Sequence, residues 1–147
     1  MTDLTGSELK GKVAIVTGAG RMRGIGRGTA VVLARMGANV VVTGTGRDPG
    51  TFPQDEKDAG WRDIHSTAEQ VESYGVKALP LISNITDEDD VQKMVDTTVA
   101  EFGSLDIIVN NAAAPYGNDR VSVLDMRADV FKTVIEVKVL GTFYACR

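Results

Sequence analysis

The chain has 147 residues, 43% apolar and 24% charged, with a formal net charge of −4. That length suits one domain with a sizeable core, and the acidic balance argues against a general polyanion binder such as a nucleic-acid protein. His65 and Cys146 are the only residues of their types, which excludes a multi-histidine metal site and an internal disulfide and fits a reducing, cytoplasmic setting.

In chain order, the N-terminal MTDLTGSELKGK lacks the cationic and apolar regions of a signal peptide. Val13–Thr17 (VAIVT) is a short continuous apolar run, the mark of a strand buried on both faces. Ile25–Met36 follows as a helix with Ile25, Thr29, Val32, Leu33 and Met36 on its expected inner face and Gly37 as its stop. Asn39–Thr43 reads as the second strand, and Ile64, Ala68, Val71 and Tyr74 mark a helix ending at Gly75. Ala78–Ser83 is the third strand, where Pro80 argues against central pairing. Thr86 is the expected N-cap of a helix with acids in its first turn and Val91, Met94, Val95, Thr98 and Phe102 inward. Leu105–Asn110 is the fourth strand, and a last helix from about Asp129 carries Val130, Val134, Val137 and Gly141 on one face.

Strand and helix alternating in this way predict an α/β fold, a Rossmann-like doubly wound parallel sheet with right-handed crossovers. No membrane-length apolar run interrupts it. The irregular stretch Gly46–Asp63 (GRDPGTFPQDEKDAGWRD) is long for a βα connection. It reads as a solvated surface insertion, or alternatively as a lid in which Phe52 or Trp61 packs down near the cofactor edge.

The stretch TGAGRMRGIG leaves a buried strand and opens a helix at the first crossover. Glycines there allow a tight turn and let backbone N–H groups approach a diphosphate, while the helix start adds donors and positive potential. Arg21, Arg23 and Arg27 add charge on the same side.

Thr17-Gly18-Ala19-Gly20 followed by Gly24-Ile25-Gly26 resembles the T-G-x-x-x-G-x-G loop of the short-chain dehydrogenase/reductase family. ITDEDDVQKMV, FGSLDIIVNNAAAP and VIEVKVLGTFYACR resemble that family's later segments in order and spacing. The resemblance runs from Lys10 onward and implies a doubly wound fold and an NAD(P)-dependent oxidoreductase moving hydride between a cofactor and a carbonyl or alcohol. It implies that Gly18, Gly24, Ile25 and Gly26 line the pyrophosphate and nicotinamide ribose, and that Asn84 and Ile85 flank adenine. Asn110 and Ala112 would lie beneath the riboses, with Val137 completing the wall. Asn110-Asn111 also reads simply as a polar strand end that ties neighbouring loops together.

Cofactor choice turns on the end of the second strand, where an acid holds the ribose hydroxyls and repels a 2′-phosphate. Thr43-Gly44-Thr45-Gly46-Arg47 has no acid there, and Arg47, Thr45 and Arg23 would suit a phosphate. The expectation is therefore NADP(H), with NAD(H) second.

Three positions depart from the family pattern: the glycine loop is two residues longer, Asn84 replaces an Asp, and Lys138 stands where a catalytic Asn is usual. The family's catalytic Ser and Tyr-x-x-x-Lys have no match, since Tyr74 is followed four residues on by Ala78 and Tyr116 by Arg120. No catalytic residue is therefore assigned. The expectation is a single cofactor-binding domain over residues 1–147, the N-terminal part of a longer reductase and inactive alone. A non-catalytic nucleotide-binding fragment or partner subunit is the alternative. The resemblance further implies a small-molecule substrate and a homo-oligomer, dimer or tetramer, of the complete protein.

Overall fold

The computed structural model describes residues 6–114, 117 and 119–147. Strands β1 (Val13–Val16), β2 (Asn39–Gly44), β3 (Ala78–Ile82) and β4 (Ile107–Val109) form a parallel sheet in the order β3-β2-β1-β4. The helices are α1 (Ile25–Arg35), α2 (Gln54–Asp58), α3 (Ile64–Glu72), α4 (Glu88–Phe102), α5 (Ala128–Ile135) and α6 (Gly141–Cys146), the last two joined by a π turn over Glu136–Leu140.

β1 and β2 are the inner strands, and their β-branched side chains divide by the period of two between the sheet's faces. Val16, Val40 and Val42 pack with Ala30, Ala34, Ile64, Ala68 and Val71 of α1 and α3. Ile15 and Val41 pack on the opposite face with Ile85, Val91 and Met94, with Val137 and Tyr144 at the margin. Val16 pairs with Val42 on one side and Val109 on the other, so the glycine loop leaves from the middle of the sheet. β3 pairs with β2 alone among the described residues, so Pro80 sits in an edge strand as its missing N–H requires.

Three sequence expectations change, the simplest being that α3 ends at Glu72 and leaves Tyr74 exposed beyond it. The inner face of α1 is Gly26, Ala30 and Ala34, whereas Ile25 is 81% exposed and Val32 also faces outward. Small side chains let the helix lie close to the strands, and Ile25 stands on its first turn at the rim of a cavity. The N-cap of α4 is Asp87, which accepts from the N–H groups of Asp89 and Asp90 at 3.0 and 3.2 Å. Thr86 instead donates its hydroxyl to Asn84 Oδ1 at 2.9 Å. The last helix follows the predicted face: Gly141 is buried where a Cβ would stand 2.9 Å from Ile85.

Asp106 fastens β4 to β1 at the amino end of the sheet, accepting from Lys12 Nζ at 2.8 Å and from the Val13 N–H at 2.9 Å. The Lys12 hydrogen bond first, then that of Val13, holds this carboxyl below its ordinary range. A depressed folded-state pKa stabilises the fold at neutral pH, and that contribution disappears as pH falls through the folded value. Asp106→Asn should therefore unfold at lower urea than the native chain at neutral pH. The gap should close in acid, as read from denaturation midpoints across a pH series.

Candidate functional site

The crossovers through α1 and α4 cover opposite faces, so the carboxyl ends of β1 and β4 form a switch point, the usual crevice for ligands in such sheets. A cavity of about 290 Å³ opens there, lined by segments following each of the four strands. A larger groove of about 760 Å³ lies at the opposite, amino end around Lys10, Asn39 and Lys77, away from the glycine loop.

One hydroxyl holds the crevice together. Thr17 Oγ1 donates to the Val109 carbonyl at 3.2 Å and accepts from the N–H groups of Asn111 and Ala112 at 3.0 and 3.1 Å. The Asn111 amide donates to the carbonyls of Thr17 and Gly18 at 2.8 and 3.0 Å. Gly18 turns the chain at φ +68, and a Cβ there would meet Ala112 Cα at 2.8 Å. Only glycine fits that close approach.

Among the sequence-predicted residues, Gly18, Gly24 and Ile25 line the cavity from the loop, and Thr45 and Arg47 from the end of β2. Asn84, Ile85, Ala112 and Val137 close it from the other side. Three others lie elsewhere. Gly26 sits behind the loop, where a Cβ would approach Asn111 Nδ2 to 2.5 Å and the Gly18 carbonyl to 2.8 Å. Arg23 is on the surface, paired with Asp55 at 2.7 Å. Asn110 donates to Cys146 Sγ at 3.3 Å. Lys138 is exposed on the π turn and does not line the cavity. Of residues 114–119, Ala114 lines the cavity, and Pro115, Tyr116 and Asn118 lie outside the described residues.

Gly46–Asp63 is not a loose surface loop. Asp48 caps a 3-10 turn over Pro49–Thr51, α2 follows, and the segment folds down on the lengthened glycine loop. Trp61 Nε1 donates to the Gly20 carbonyl at 2.6 Å, and Glu56 Oε1 accepts from the Met22 N–H at 2.8 Å. Phe52 is buried, with the Arg47 guanidinium 4.5 Å from its ring centre.

Arg47 is the hub. Its Nε donates to Asp63 Oδ1 at 2.9 Å, its Nη1 to Glu56 Oε2 at 3.0 Å, and its Nη2 to the Gly20 carbonyl at 3.2 Å. Burial opposes its charge, but the hydrogen bonds and attraction of Asp63 and Glu56 outweigh this and hold its pKa above the ordinary value. These bonds occupy the fork that a 2′-phosphate would have used.

Sequence reasoning missed Asp63, Ser83 and Thr17. Asp63 and Ser83 are buried beside the cavity, and Asp63 Oδ2 and Ser83 Oγ have no hydrogen-bond partner among the described residues. Thr17 had a visible signal in the polar residue ending VAIVT. For Asp63 the only signal was an acid immediately before the Ile64 helix.

A model of the short chain dehydrogenase family matches residues 12–147. The 12alpha-hydroxysteroid dehydrogenase of Clostridium sp. (strain ATCC 29733 / VPI C48-50) is 35% identical over 142 residues, covering 93% of this chain and 49% of that one. The NADP-dependent mannitol dehydrogenase of Hypocrea jecorina is 35% identical over 139 residues, covering 95% and 47%. The crystal structure of a short chain dehydrogenase from Mycobacterium paratuberculosis bound to NAD superposes with a TM-score of 0.76 at 30% identity, covering 95% and 49%. The chain thus spans about half the length of the curated relatives it matches.

Replacing Arg47 with Met leaves Glu56 and Asp63 buried without a counter-charge. Breaking such a pair should lower the unfolding free energy by about 3 kcal/mol, measurable by urea denaturation. Adding Glu56→Gln should recover part of the loss.

Proposed function

The chain belongs to the short-chain dehydrogenase family, and on that premise we propose that it binds a nicotinamide dinucleotide at the carboxyl edge of its sheet. The reading extends to an NAD(P)-dependent oxidoreductase acting on a small carbonyl or alcohol substrate. The observation that carries it is the Gly18 cradle, where the loop backbone lies against Ala112 too closely for any side chain. The unpartnered Asp63 Oδ2 and Ser83 Oγ beside the same cavity fit a polar ligand with hydroxyl groups.

In this reading the pyrophosphate lies over Gly18, Gly24 and the start of α1, where backbone N–H groups and the helix dipole favour an anion. Gly26 acts one layer back by allowing Asn111 to hold the loop. Asn84 and Ile85 flank the adenine, the polar rim of Asn84 being set by its bonds to Thr86. Ala112 and Val137 form the wall on the nicotinamide side, and Ile25 closes the mouth. When bound, the dinucleotide supplies or accepts the hydride. The residues described here position it and keep water from its underside.

NADP(H) was expected because Arg47, Thr45 and Arg23 looked available for a 2′-phosphate. With Arg47 bound to Asp63 and Glu56, and Arg23 paired with Asp55, that choice loses its main support. No helix of the described residues is long and apolar enough to cross a membrane, and the single cysteine supports a cytoplasmic setting. Phe131, Ile135, Val139 and Phe143 recur every fourth residue and are all exposed, which supports assembly with a second copy through this helix.

Gly18→Ala should weaken NADH or NADPH binding by roughly tenfold or more, about 1.4 kcal/mol, in a nicotinamide-fluorescence titration. Unchanged affinity would remove the cradle from the site. Light scattering should show a dimer or larger species, and Phe131→Asp with Phe143→Asp should shift it towards monomer.

A further inference from the structure

Accepting the dinucleotide reading above, we propose that Asp63 recognises the 2′-position of the adenosine ribose. Its unpaired Oδ2 accepts the ribose hydroxyls, its charge excludes a 2′-phosphate, and the site thereby selects NAD(H) over NADP(H).

Four observations meet on this residue. Asp63 is 7% exposed, lines the cavity, and carries a buried carboxylate oxygen with no partner among the described residues. An unsatisfied buried acceptor is costly and calls for a donor from outside the chain. Its backbone is the one non-glycine at positive φ among the described residues, at φ 54 and ψ −131. Such strain is retained where surrounding contacts over-determine it, commonly at ligand clamps.

The neighbourhood is cleared for this side chain. A Cβ at Gly20 would stand 1.9 Å from Asp63 Oδ1, so the glycine loop admits the carboxylate only because residue 20 has no side chain. On the β2 side a Cβ at Gly44 would lie 3.6 Å from Oδ2. Asp63 therefore stands between the glycine loop and the end of β2, the place where folds of this kind put the ribose-binding acid. Thr43–Arg47 carries no acid. The chain loops out through Gly46–Arg62 and returns an acid to the same edge at the first residue before α3.

Charge points the same way. Glu56 and Asp63 together hold Arg47, which leaves one negative charge in excess in a largely buried cluster. Arg47 engages Oδ1 and fixes the carboxylate so that Oδ2 is the oxygen left over. A doubly charged 2′-phosphate brought there meets a carboxylate, whereas two hydroxyls meet an acceptor. Arg21 is the other arginine lining the cavity and is the residue a phosphate would use if Asp63 did not decide the matter.

The test is a pair of titrations of the 147-residue chain with NADH and with NADPH, followed by nicotinamide fluorescence. NADH should bind tighter by roughly tenfold to a hundredfold, the worth of hydrogen bonds to a charged acceptor. Asp63→Asn should bring the two affinities close together, mainly by weakening NADH, while Arg21→Ala should leave the preference in place. Equal or tighter binding of NADPH by the native chain overturns the proposal, as does an Asp63→Asn chain with an unchanged ratio. Binding of both dinucleotides without preference sinks this inference alone. Binding of neither by the folded chain sinks the dinucleotide reading with it. The native ratio decides even if Asp63→Asn fails to fold.

Discussion

Parallel strands joined by crossovers on opposite faces leave one seam of the sheet uncovered, between the carboxyl ends of β1 and β4. Backbone groups at that seam must be satisfied without a helix to do it. Thr17 solves the problem with one hydroxyl that donates once and accepts twice, and Asn111 completes the closure by donating to the loop carbonyls. The first loop can then turn on Gly18 directly above strand ends held by these bonds. A cavity sits at this edge because the polar closure is only as deep as these two side chains.

The glycine loop and the Gly46–Asp63 segment are built for each other. The lengthened loop presents a carbonyl at Gly20 and an N–H at Met22 that lie away from the strand ends. Trp61 and Arg47 donate to the first, and Glu56 accepts from the second. The charged cluster that does this is partly buried, and a buried ion pair adds little net stability over apolar packing. What it supplies is orientation: a planar fork that fixes two carboxylates and one carbonyl at once, stacked on Phe52.

The sheet was legible because β-branched runs and turn glycines are local signals. Val13–Val16, Asn39–Gly44 and the α4 stop at Gly103 all stand within a residue or two of expectation. The inner face of α1 was not legible. Hydrophobic spacing favoured Ile25 and Val32, but Gly26, Ala30 and Ala34 meet the strands, with the expected Leu33 packed at the margin. Gly18 and Gly24, picked out by the glycine pattern, and Ala112, picked out by the resemblance on the fourth strand, line one cavity. Arg47 was read as an available cation because its two acidic partners lie nine and sixteen residues away across an irregular segment. Asp63 was missed for the same reason: its place is decided by the packing of Phe52, Trp61 and α2, which no periodicity announces.

Gly20 and Asp63 are sterically coupled. With 1.9 Å between a would-be Cβ and Oδ1, any side chain at position 20 evicts the carboxylate and breaks its bonds to Arg47. Effects at these positions will therefore be non-additive in a double-mutant cycle, since the second change alters an arrangement the first has already dissolved. A side chain at position 20 therefore fits only once Asp63 has been replaced or displaced, whereas Asp63 can change while Gly20 stays. An acid placed at position 63 as it is here thus presupposes glycine at position 20, while glycine at position 20 presupposes nothing about position 63.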